Sequence, residues 1–350
     1  MPNPLALTDN QFTDAFRSCY GRGSFHASAV YRAFYRTTDL DVCRLEAFRQ
    51  SPELGQTVQQ RLSLLSLPRI VERAAEGGTV KLALELADGL RVESVVIPMP
   101  GYTTQCISSQ AGCRMGCRFC RTGRIGLLRQ LDAAEMVAQV HCVRVGLGYP
   151  VRNVVFMGMG EPLDNLDAVL QAIRVMNAQR GLDIALRRIT VSTAGLVDGI
   201  ARLADAFGPH INLALSLNAV DDDLRTQLMP INRRYPLGAL KAALQAYPRG
   251  RGNLIFIEYV LIRGLNDSPA HALNLAQFLS GLPVKLNLIA YNPDERSTWQ
   301  APDEETIRRF QSLVAGRGIF VRRRTARGAH IQAACGQLGG AAPTVQSHPN

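Results

Sequence analysis

Short apolar runs alternate with longer amphipathic stretches over residues 103–325 of the chain. The apolar runs are rich in Val, Ile and Leu, as buried parallel strands are, and read NVVFM, RITVS, NLALSL, IFIEYVL, KLNLI and IFVRR. The amphipathic stretches have helical spacing and read DAAEMVAQVHCVRVG, LDAVLQAIRVM, LVDGIARLADAF, LGALKAALQAY, SPAHALNLAQFL and DEETIRRFQSLVAG. Strands that alternate with helices in this way predict a parallel sheet with crossover helices. The predicted fold class is α/β, closed as a partial (β/α)6 barrel.

The first part of the chain has a different pattern. Apolar residues at helical spacing in SFHASAVYRAFYR and QTVQQRLSLLSL predict helices up to about residue 78. TVKLALEL and RVESVVIP then flank Asp88 and Gly89, which favour a hairpin turn between two strands. We therefore predict a helical domain at 1–78, a β-hairpin at 79–98, the core barrel at 99–329, and a C-terminal segment at 330–350 that ends in a frayed tail.

Composition narrows the class of protein. The chain has 350 residues, of which 47% are hydrophobic, so it can bury a full core. Its net charge of +10 comes from arginine, since the only lysines are Lys81, Lys241 and Lys285. Guanidinium groups suit phosphates and stacked bases, which makes a nucleic acid a suitable partner, although a solvated basic face explains the charge as well. With no apolar leader or spanning run in the sequence, we expect a cytoplasmic monomer without a membrane partner or a disulfide framework.

Three cysteines in GCRMGCRFC carry the most specific signal. Cys113, Cys117 and Cys120 form a Cys-x3-Cys-x2-Cys pattern that places three thiolates on one tight loop. Electron-transfer [4Fe-4S] clusters take four cysteine ligands, whereas three leave one iron open for the amino and carboxylate groups of S-adenosylmethionine (SAM). This is the spacing of the radical SAM enzymes. The alternatives are a zinc site, which normally needs a second Cys pair or histidines, and structural cysteines.

Polar residues follow successive predicted strands, where the chemistry of such sheets is found. The first of these segments is the glycine-containing turn GMGEP at 158–162, whose glycines let the backbone approach a ligand. The next strands end at Ser192 and at Ser216-Leu217-Asn218. Taken singly, each segment is also an ordinary strand exit, but together they suit a polar cofactor.

The remaining cysteines divide into two groups. Cys19, Cys43 and Cys142 are interpreted as small buried hydrophobic residues. Cys106 ends the first strand of the barrel, and Cys335 lies among alanines and glycines that suggest a flexible turn. The thiolate of Cys335 would be favoured by four nearby arginines, which are Arg322, Arg323, Arg324 and Arg327.

A set of collinear segments between about residues 91 and 340 resembles the RlmN- and Cfr-type adenine methyltransferases. These segments are RVESVVIP, QCISSQAGCRMGCRFCRTG, FMGMGEPLDN, RRITVSTAG, ALSLNA, LMPINRRYP, IEYVLIRGLNDS, LNLIAYNP and IQAACGQL. The resemblance implies a radical SAM barrel whose N-terminal helical domain helps to grip RNA. It also implies an adenosine of 23S rRNA as substrate, with tRNA as a second substrate, and an electron donor such as flavodoxin or ferredoxin.

The resemblance also assigns roles to individual residues. It implies Cys113, Cys117 and Cys120 as ligands of the [4Fe-4S] cluster. The positions implied to contact SAM are Gly160, Glu161, Ser192, Ser216, Leu217, Asn218 and Asn292. Cys335 resembles the methyl-carrying cysteine, Cys106 its resolving partner, and Glu93 the proton acceptor.

The implied mechanism uses two SAM molecules, because C2 and C8 of adenine are too electron-poor to attack a methyl group as nucleophiles. One SAM methylates Cys335, and a radical derived from the second takes a hydrogen from the S-methyl group, so that the methyl carbon can add to the ring. Cys106 then attacks the sulfur of Cys335, and the resulting disulfide must be reduced, which fits the cytoplasm. Ala111 and the two alanines before Cys335 resemble the RlmN type and favour C2, whereas CISSQ and TGRIGL resemble the Cfr type and leave C8 open.

Three departures from the family pattern leave the substrate open. The family usually has histidine at Asn218, aspartate at Gln332 and an acidic pair within 328–330. One alternative is therefore a radical SAM enzyme that acts at another RNA site or on a substrate other than RNA. A non-catalytic iron-sulfur RNA-binding protein is the other alternative, and it predicts loss of Cys106, Cys335 or Glu93, all of which are present.

Overall fold

The computed structural model describes residues 1–250, 253–293, 297–324 and 328–339. Its N-terminal part contains three helices, α1 (Asp9–Tyr20), α2 (Ser24–Phe34) and α3 (Pro52–Ser63). Helix α1 begins at a capping box, in which Thr8 accepts from the N–H of Gln11 and the Gln11 side chain accepts from the N–H of Thr8. The helices close around a small core that includes Phe12, Phe16, Tyr31, Phe48 and Val58.

An antiparallel extension connects this domain to the barrel. It consists of β1 (Arg69–Glu76), β2 (Thr79–Glu85), β3 (Arg91–Met99) and β4 (Tyr102–Cys106). The predicted β2–β3 hairpin is present, with Gly89 at a positive φ of 81° in its turn. The prediction of helix up to residue 78 is wrong for β1, because this segment pairs along its whole length with β2 and the pairing overrides local propensity.

A short two-stranded sheet surrounds the cysteine loop. Strand β5 (Gln110–Cys113) pairs antiparallel with β6 (Gly126–Gln130), and α4 (Arg121–Ile125) lies between them. Cys113 is the last residue of β5, so the cysteine loop begins where this small sheet ends.

The barrel confirms the predicted α/β fold. Its further strands are β7 (Val151–Phe156), β8 (Ile189–Thr193), β9 (Asn212–Ser216), β10 (Ile255–Leu261), β11 (Val284–Ala290) and β12 (Phe320–Arg324). The helices are α5 (Ala133–His141), α6 (Leu166–Asn177), α7 (Val197–Phe207), α8 (Asp222–Leu228), α9 (Leu237–Ala246), α10 (Pro269–Leu279) and α11 (Glu304–Ala315). Strands β4 and β7–β12 are parallel neighbours in one ten-stranded sheet of order β1-β2-β3-β4-β7-β8-β9-β10-β11-β12. Within the described residues β1 and β12 are its edges, so the barrel is open.

The N-terminal domain packs against the first helices of the barrel. His141 of α5 stacks on Phe34 with ring centroids 4.6 Å apart, and its Nε2–H donates to the Phe34 carbonyl at 3.0 Å. Burial lowers the pKa of this imidazole, which therefore stays neutral in the interface. In the part of the chain that the structure describes, no helix has the length and apolarity needed to cross a membrane.

Candidate active site

The glycine turn after β7 lies directly against the segment 107–110, which leads from β4 into β5 and the cysteine loop. The N–H of Gly158 donates to the Ile107 carbonyl at 3.0 Å, and the N–H of Ser109 donates to the Met159 carbonyl at 2.8 Å. A Cβ on Gly158 would lie 2.6 Å from the Ile107 oxygen, and one on Gly160 would lie 2.5 Å from Cβ of Gln110. The close approach that these glycines allow is therefore to the chain itself, while contact of Gly160 with SAM stays a prediction.

The three loop cysteines lie together in an apolar pocket. Cys113 and Cys117 are buried and Cys120 is half-buried. The pocket that surrounds them is formed by Met115, Ala194, Ala219, Leu228, Met229, Ile262 and Tyr291. Burial raises the pKa of Cys113 to about 12, and burial followed by the nearby Cys120 and Cys113 raises the pKa of Cys117.

The donor set fits an iron-sulfur cluster. Three thiols in an apolar environment are soft ligands, and metal coordination removes the protons that burial would otherwise retain. Over the described ranges, no group of three or more His, Cys, Asp or Glu side chains already has the arrangement needed to hold a single metal ion. The fit therefore rests on the chemistry and burial of the three thiols.

Glu161 joins three segments around this pocket. Its Oε2 accepts from the N–H of Ala194 at 2.7 Å, its Oε1 accepts from the N–H of Leu163 at 3.1 Å, and its own N–H donates to Oε1 of Gln110 at 2.8 Å. Burial raises the pKa of this carboxyl to about 7. Glu161 thus holds the loops after β7 and β8 against β5, the strand that leads into the cysteine loop.

The predicted polar positions after β8 and β9 have structural partners of their own. Ser192 Oγ donates to the Phe156 carbonyl at 2.6 Å. Asn218 has a positive φ of 60°, a conformation that Asn tolerates better than most residues. Its buried Oδ1 accepts from the N–H of Val260 at 2.9 Å. Asn218 therefore braces the ends of β9 and β10, and its departure from histidine has a local reason.

Arg225 on α8 is a site residue that sequence reasoning missed. Its side chain is fully buried. It donates to the carbonyls of Ala194 at 2.7 Å and Leu217 at 3.0 Å, and to Oδ1 of Asn232 at 2.8 Å. The guanidinium thus ties the loop after β8 to the loop after β9. The available signal was its position three residues before Leu228, on the inward face of a helix.

A cavity of about 550 Å³ fills the barrel interior. Its polar lining comes from alternate positions of the strands, which is unusual for parallel strands with two covered faces. These lining residues are Thr104, Asn153, Thr190, Asn212, Glu258, Lys285, Asn287, Arg322 and Arg324. Two residues predicted from the sequence, Asn292 and Cys335, line the same cavity.

Cys335 lies near Cys106 and Arg324. Protein surrounds the Cys335 thiol, although the side chain remains accessible because it faces the cavity. Burial raises the pKa of Cys335, and Arg324 opposes that effect. Burial and the nearby Cys335 raise the pKa of Cys106 to about 12. Both thiols interact electrostatically with Arg324, which donates to Oε2 of Glu258 at 3.3 Å.

Two expectations about cysteines need correction. The thiolate of Cys335 is not favoured overall, because burial outweighs Arg324. Arg322 and Arg323 line the cavity without changing this result, and Arg327 lies outside the described residues. Cys19 and Cys43 are exposed and Cys142 is half-buried, so the interpretation as buried residues is wrong for the first two. Cys19 is near the exposed end of α1, and Cys43 lies in a surface turn.

The C-terminal segment that carries Cys335 is held between α4 and β3. The N–H of Arg121 donates to the Gly336 carbonyl at 2.8 Å, and the Thr122 hydroxyl donates to the Leu338 carbonyl at 2.7 Å. The N–H of Gly339 donates to Oε2 of Glu93 at 2.6 Å. Because Arg121 follows Cys120 directly, the Cys335 turn lies beside the cysteine loop.

Glu93 and Gln332, the one a predicted site residue and the other a departure from the family pattern, also help to hold the segment that carries Cys335. Glu93 is buried and forms an ion pair with Lys81, whose Nζ lies 3.5 Å from Oε1. Gln332 accepts from the Arg121 guanidinium at 2.5 Å. An amide therefore supplies the acceptor at the position where the family usually has a carboxylate.

An open parallel barrel with a three-cysteine loop at the carboxyl ends of its strands defines the radical SAM class of enzymes. The model of the Radical SAM superfamily matches residues 107–276. The solved radical SAM methyltransferase from Sphaerobacter thermophilus has a TM-score of 0.86 and 40% sequence identity, covering 95% of this chain and 98% of that one.

Curated relatives narrow the class further. The probable dual-specificity RNA methyltransferase RlmN 1 of Protochlamydia amoebophila is 42% identical over 335 residues, which cover 96% of this chain and 93% of that protein. The dual-specificity RNA methyltransferase RlmN of Geotalea uraniireducens is 42% identical over 330 residues, with 94% of each chain covered. The chain therefore belongs to the RlmN family of radical SAM RNA methyltransferases.

Proposed function

We propose that this protein methylates a ring carbon of adenine, C2 rather than C8, in 23S rRNA and in tRNA. The names of the relatives support RNA as the substrate. The observation that carries the proposal is the position of Cys335. Cys335 faces the barrel cavity near the thiol of Cys106. The next residue, Gly336, accepts a hydrogen bond from Arg121, which follows Cys120.

In this proposal Cys113, Cys117 and Cys120 hold a [4Fe-4S] cluster. Together with SAM, the bound cluster supplies the one-electron chemistry that removes a hydrogen from a methyl group. The segments with Gly160, Glu161, Ser192, Ser216, Leu217, Asn218 and Asn292 bind and orient SAM. An electron donor such as flavodoxin or ferredoxin, in the cytoplasm, completes the system.

The two remaining thiols act in sequence. Cys335 loses a proton, and its sulfur takes the methyl group of the first SAM: a new S–C bond forms as the S–C bond of the sulfonium breaks, and S-adenosylhomocysteine leaves. Arg324 favours the thiolate that this step needs. Once the methylene carbon has bonded to the base, the ring gives up its proton and one electron, which the oxidised cluster would take up, and Cys106 then attacks the sulfur of Cys335. An S–S bond forms as the S–C bond breaks, and the carbon that leaves the sulfur takes up a proton to become the methyl group of the released RNA. A thiol reductant must then restore both cysteines. Glu93, bonded to the end of the Cys335 segment, is the proposed acceptor of the proton from the base.

The decisive experiment is anaerobic incubation of the reconstituted protein with SAM, a reductant and either 23S rRNA or tRNA. Mass spectrometry of the nucleosides should detect 2-methyladenosine with the intact protein and none with Cys335→Ala. Cys19→Ala is the matched control, because this cysteine is exposed on the N-terminal domain. Formation of 8-methyladenosine would overturn the choice of C2. Cleavage of SAM without any methyladenosine would overturn the RNA substrate but keep the radical chemistry.

A further inference from the structure

A positive charge is buried behind the cysteine loop. The guanidinium of Arg225 is fully inaccessible, and its hydrogen bonds go to backbone carbonyls and to one amide oxygen. All of these acceptors are neutral. A guanidinium removed from water in this way retains a desolvation cost that neutral acceptors offset only in part.

No carboxylate of the described chain forms an ion pair with Arg225 within 4.0 Å. The nearby Asp222 instead accepts from Asn232 Nδ2 at 2.8 Å and from the N–H of Leu237 at 3.0 Å. Lys81 and Arg324, by contrast, each pair directly with a buried carboxylate, that of Glu93 and that of Glu258. Arg225 therefore differs from them in having no carboxylate at contact distance.

The charge adjoins the pocket of the loop cysteines, because Arg225 donates to the carbonyl of Ala194, which lines that pocket together with Leu228. Burial lowers the pKa of Arg225 to about 10, and Cys117 opposes that shift more strongly than Asp222 does. The loop also packs directly on α8 and the turn that follows it. The N–H of Arg118 donates to the Leu228 carbonyl at 3.0 Å, and a Cβ on Gly116 would lie 3.7 Å from Pro230. The guanidinium and the loop are thus fixed relative to each other.

We propose that Arg225 is the fixed counter-charge of the iron-sulfur cluster and a positioning residue for the two loops to which it donates. The inference rests on the cluster of the proposed function but not on its RNA substrate. A cation near a cluster stabilises the reduced form, which carries one more negative charge, and so raises the reduction potential. The same guanidinium keeps the loops after β8 and β9 in place through the carbonyls of Ala194 and Leu217.

Two substitutions separate the charge from the hydrogen bonds. Arg225→Gln removes the charge but leaves an amide donor, whereas Arg225→Lys keeps the charge but loses the planar set of donors. The matched control is Arg144→Gln. Arg144 is partly buried and, like Arg225, donates to a backbone carbonyl, in this case that of Leu182. Arg144 lies in the turn after α5, outside the cysteine pocket.

The measurement is a redox titration of the anaerobically reconstituted proteins, followed by electron paramagnetic resonance of the reduced cluster. At a fixed potential near the midpoint, we expect Arg225→Gln to lower the ratio of reduced to oxidised cluster at least tenfold, which is about 59 mV for one electron. Arg225→Lys and Arg144→Gln should stay within about threefold of the starting protein. Iron loss to a chelator should be faster in Arg225→Gln than in Arg225→Lys. This rate can be measured even if the Gln variant retains too little cluster for the redox titration.

Equal midpoints for the starting protein and Arg225→Gln would overturn the inference, as would equal shifts in the Gln and Lys variants, because the effect would then not follow charge. Equal rates of iron loss in these two variants would count against it in the same way. If the starting protein binds no iron and sulfide, the cluster itself is refuted, and the inference fails with it. If the cluster titrates as expected but the separate methylation assay yields no methyladenosine, only the RNA substrate of the proposed function is refuted.

Discussion

Arg324 donates a hydrogen bond to Glu258 inside the barrel cavity, with Nη1 and Oε2 3.3 Å apart. Glu258 also accepts from Nδ2 of Asn287 at 2.8 Å. The ion pair fixes a guanidinium within electrostatic range of both Cys106 and Cys335. Burial raises the pKa of both thiols, and the single guanidinium of Arg324 opposes that rise in each of them.

Arg324→Gln should make Cys335 less reactive. Removal of the cation raises the pKa of Cys335 further, and a rise of one unit lowers the thiolate fraction about tenfold. We expect alkylation of Cys335 in the cluster-free protein at pH 8 to slow by about three- to tenfold, measured by peptide mass spectrometry. Arg323→Gln is the control, because that arginine is paired with Glu304 of α11. Equal alkylation rates for the two variants would contradict the role of Arg324.

Glu93→Gln should destabilise the protein strongly. It leaves the Lys81 ammonium buried without its partner, and the loss of one member of a buried pair costs about 3–5 kcal/mol. Urea denaturation of the cluster-free protein measures this change. Lys81→Met combined with Glu93→Gln should recover most of the stability, since no unpaired charge remains.

The double variant also tests the proposed proton acceptor. If Glu93 accepts a proton from the base, methyladenosine should stay undetectable although stability is restored. Recovery of methylation together with stability would show that Glu93 acts only through its ion pair.

Glu161 should give the cluster-free protein a pH-dependent stability. The folded-state pKa of about 7 lies above the ordinary value of 4.5, so the folded protein binds more protons than the unfolded chain between these values. Stability from this group is complete below about pH 4.5 and is lost as the pH rises through about 7. The loss should approach about 3 kcal/mol. Glu161→Gln should remove this slope and Glu53→Gln, on the exposed face of α3, should keep it; a slope that persists in Glu161→Gln would contradict the assignment.

Gly160→Ala should cost more stability than a similar change elsewhere. Its φ of +100° disfavours a side chain, and the added Cβ would lie 2.5 Å from Gln110. We expect a loss of about 2–4 kcal/mol in urea denaturation. Gly281→Ala, at a φ of +77° with no atom within 4 Å of the added Cβ, should lose about 1 kcal/mol. Equal losses would mean that backbone conformation alone explains Gly160.

Cys106→Ala should stop turnover at a covalent intermediate. Without the thiol that attacks Cys335, the S–C bond to the methylated base cannot break by this route. We expect a protein–RNA adduct through Cys335, visible as a slower band in denaturing electrophoresis and removed by ribonuclease. A free, methylated RNA product from this variant would exclude Cys106 as the resolving residue.

The alternation of apolar runs with amphipathic stretches was sufficient to predict the barrel, because buried parallel strands are continuously apolar and helices have a period of 3.6 residues. Strand β1 was not predictable in the same way, since its residues form a strand only when β2 is beside them. Arg225 was missed for a related reason. Its donors are satisfied by the carbonyls of Ala194 and Leu217, which follow two different strands, and the sequence around Arg225 gives no sign of these contacts. The polar cavity was the avoidable miss, because Lys285 and Asn287 alternate with leucines within one strand.

The reactivity of Cys335 was misjudged from the sequence because nearby arginines were counted without burial. A charge that is close along the chain need not act on the thiol: Arg323 pairs with Glu304 on a helix, whereas Arg324 interacts electrostatically with Cys335. The family resemblance correctly predicted the class of the protein. The roles of its individual residues await the experiments above.

The bond between Arg121 and Gln332 joins residues 211 positions apart in the chain. Arg121 follows the last cysteine of the loop, and Gln332 lies on the segment that carries Cys335 into the cavity. A chain shortened before residue 328 would lose this hydrogen bond and three residues that line the cavity, Ala333, Ala334 and Cys335, the last of which carries the thiol. For expression and crystallisation, this means that residues 328–339 have to be retained even though they follow strand β12.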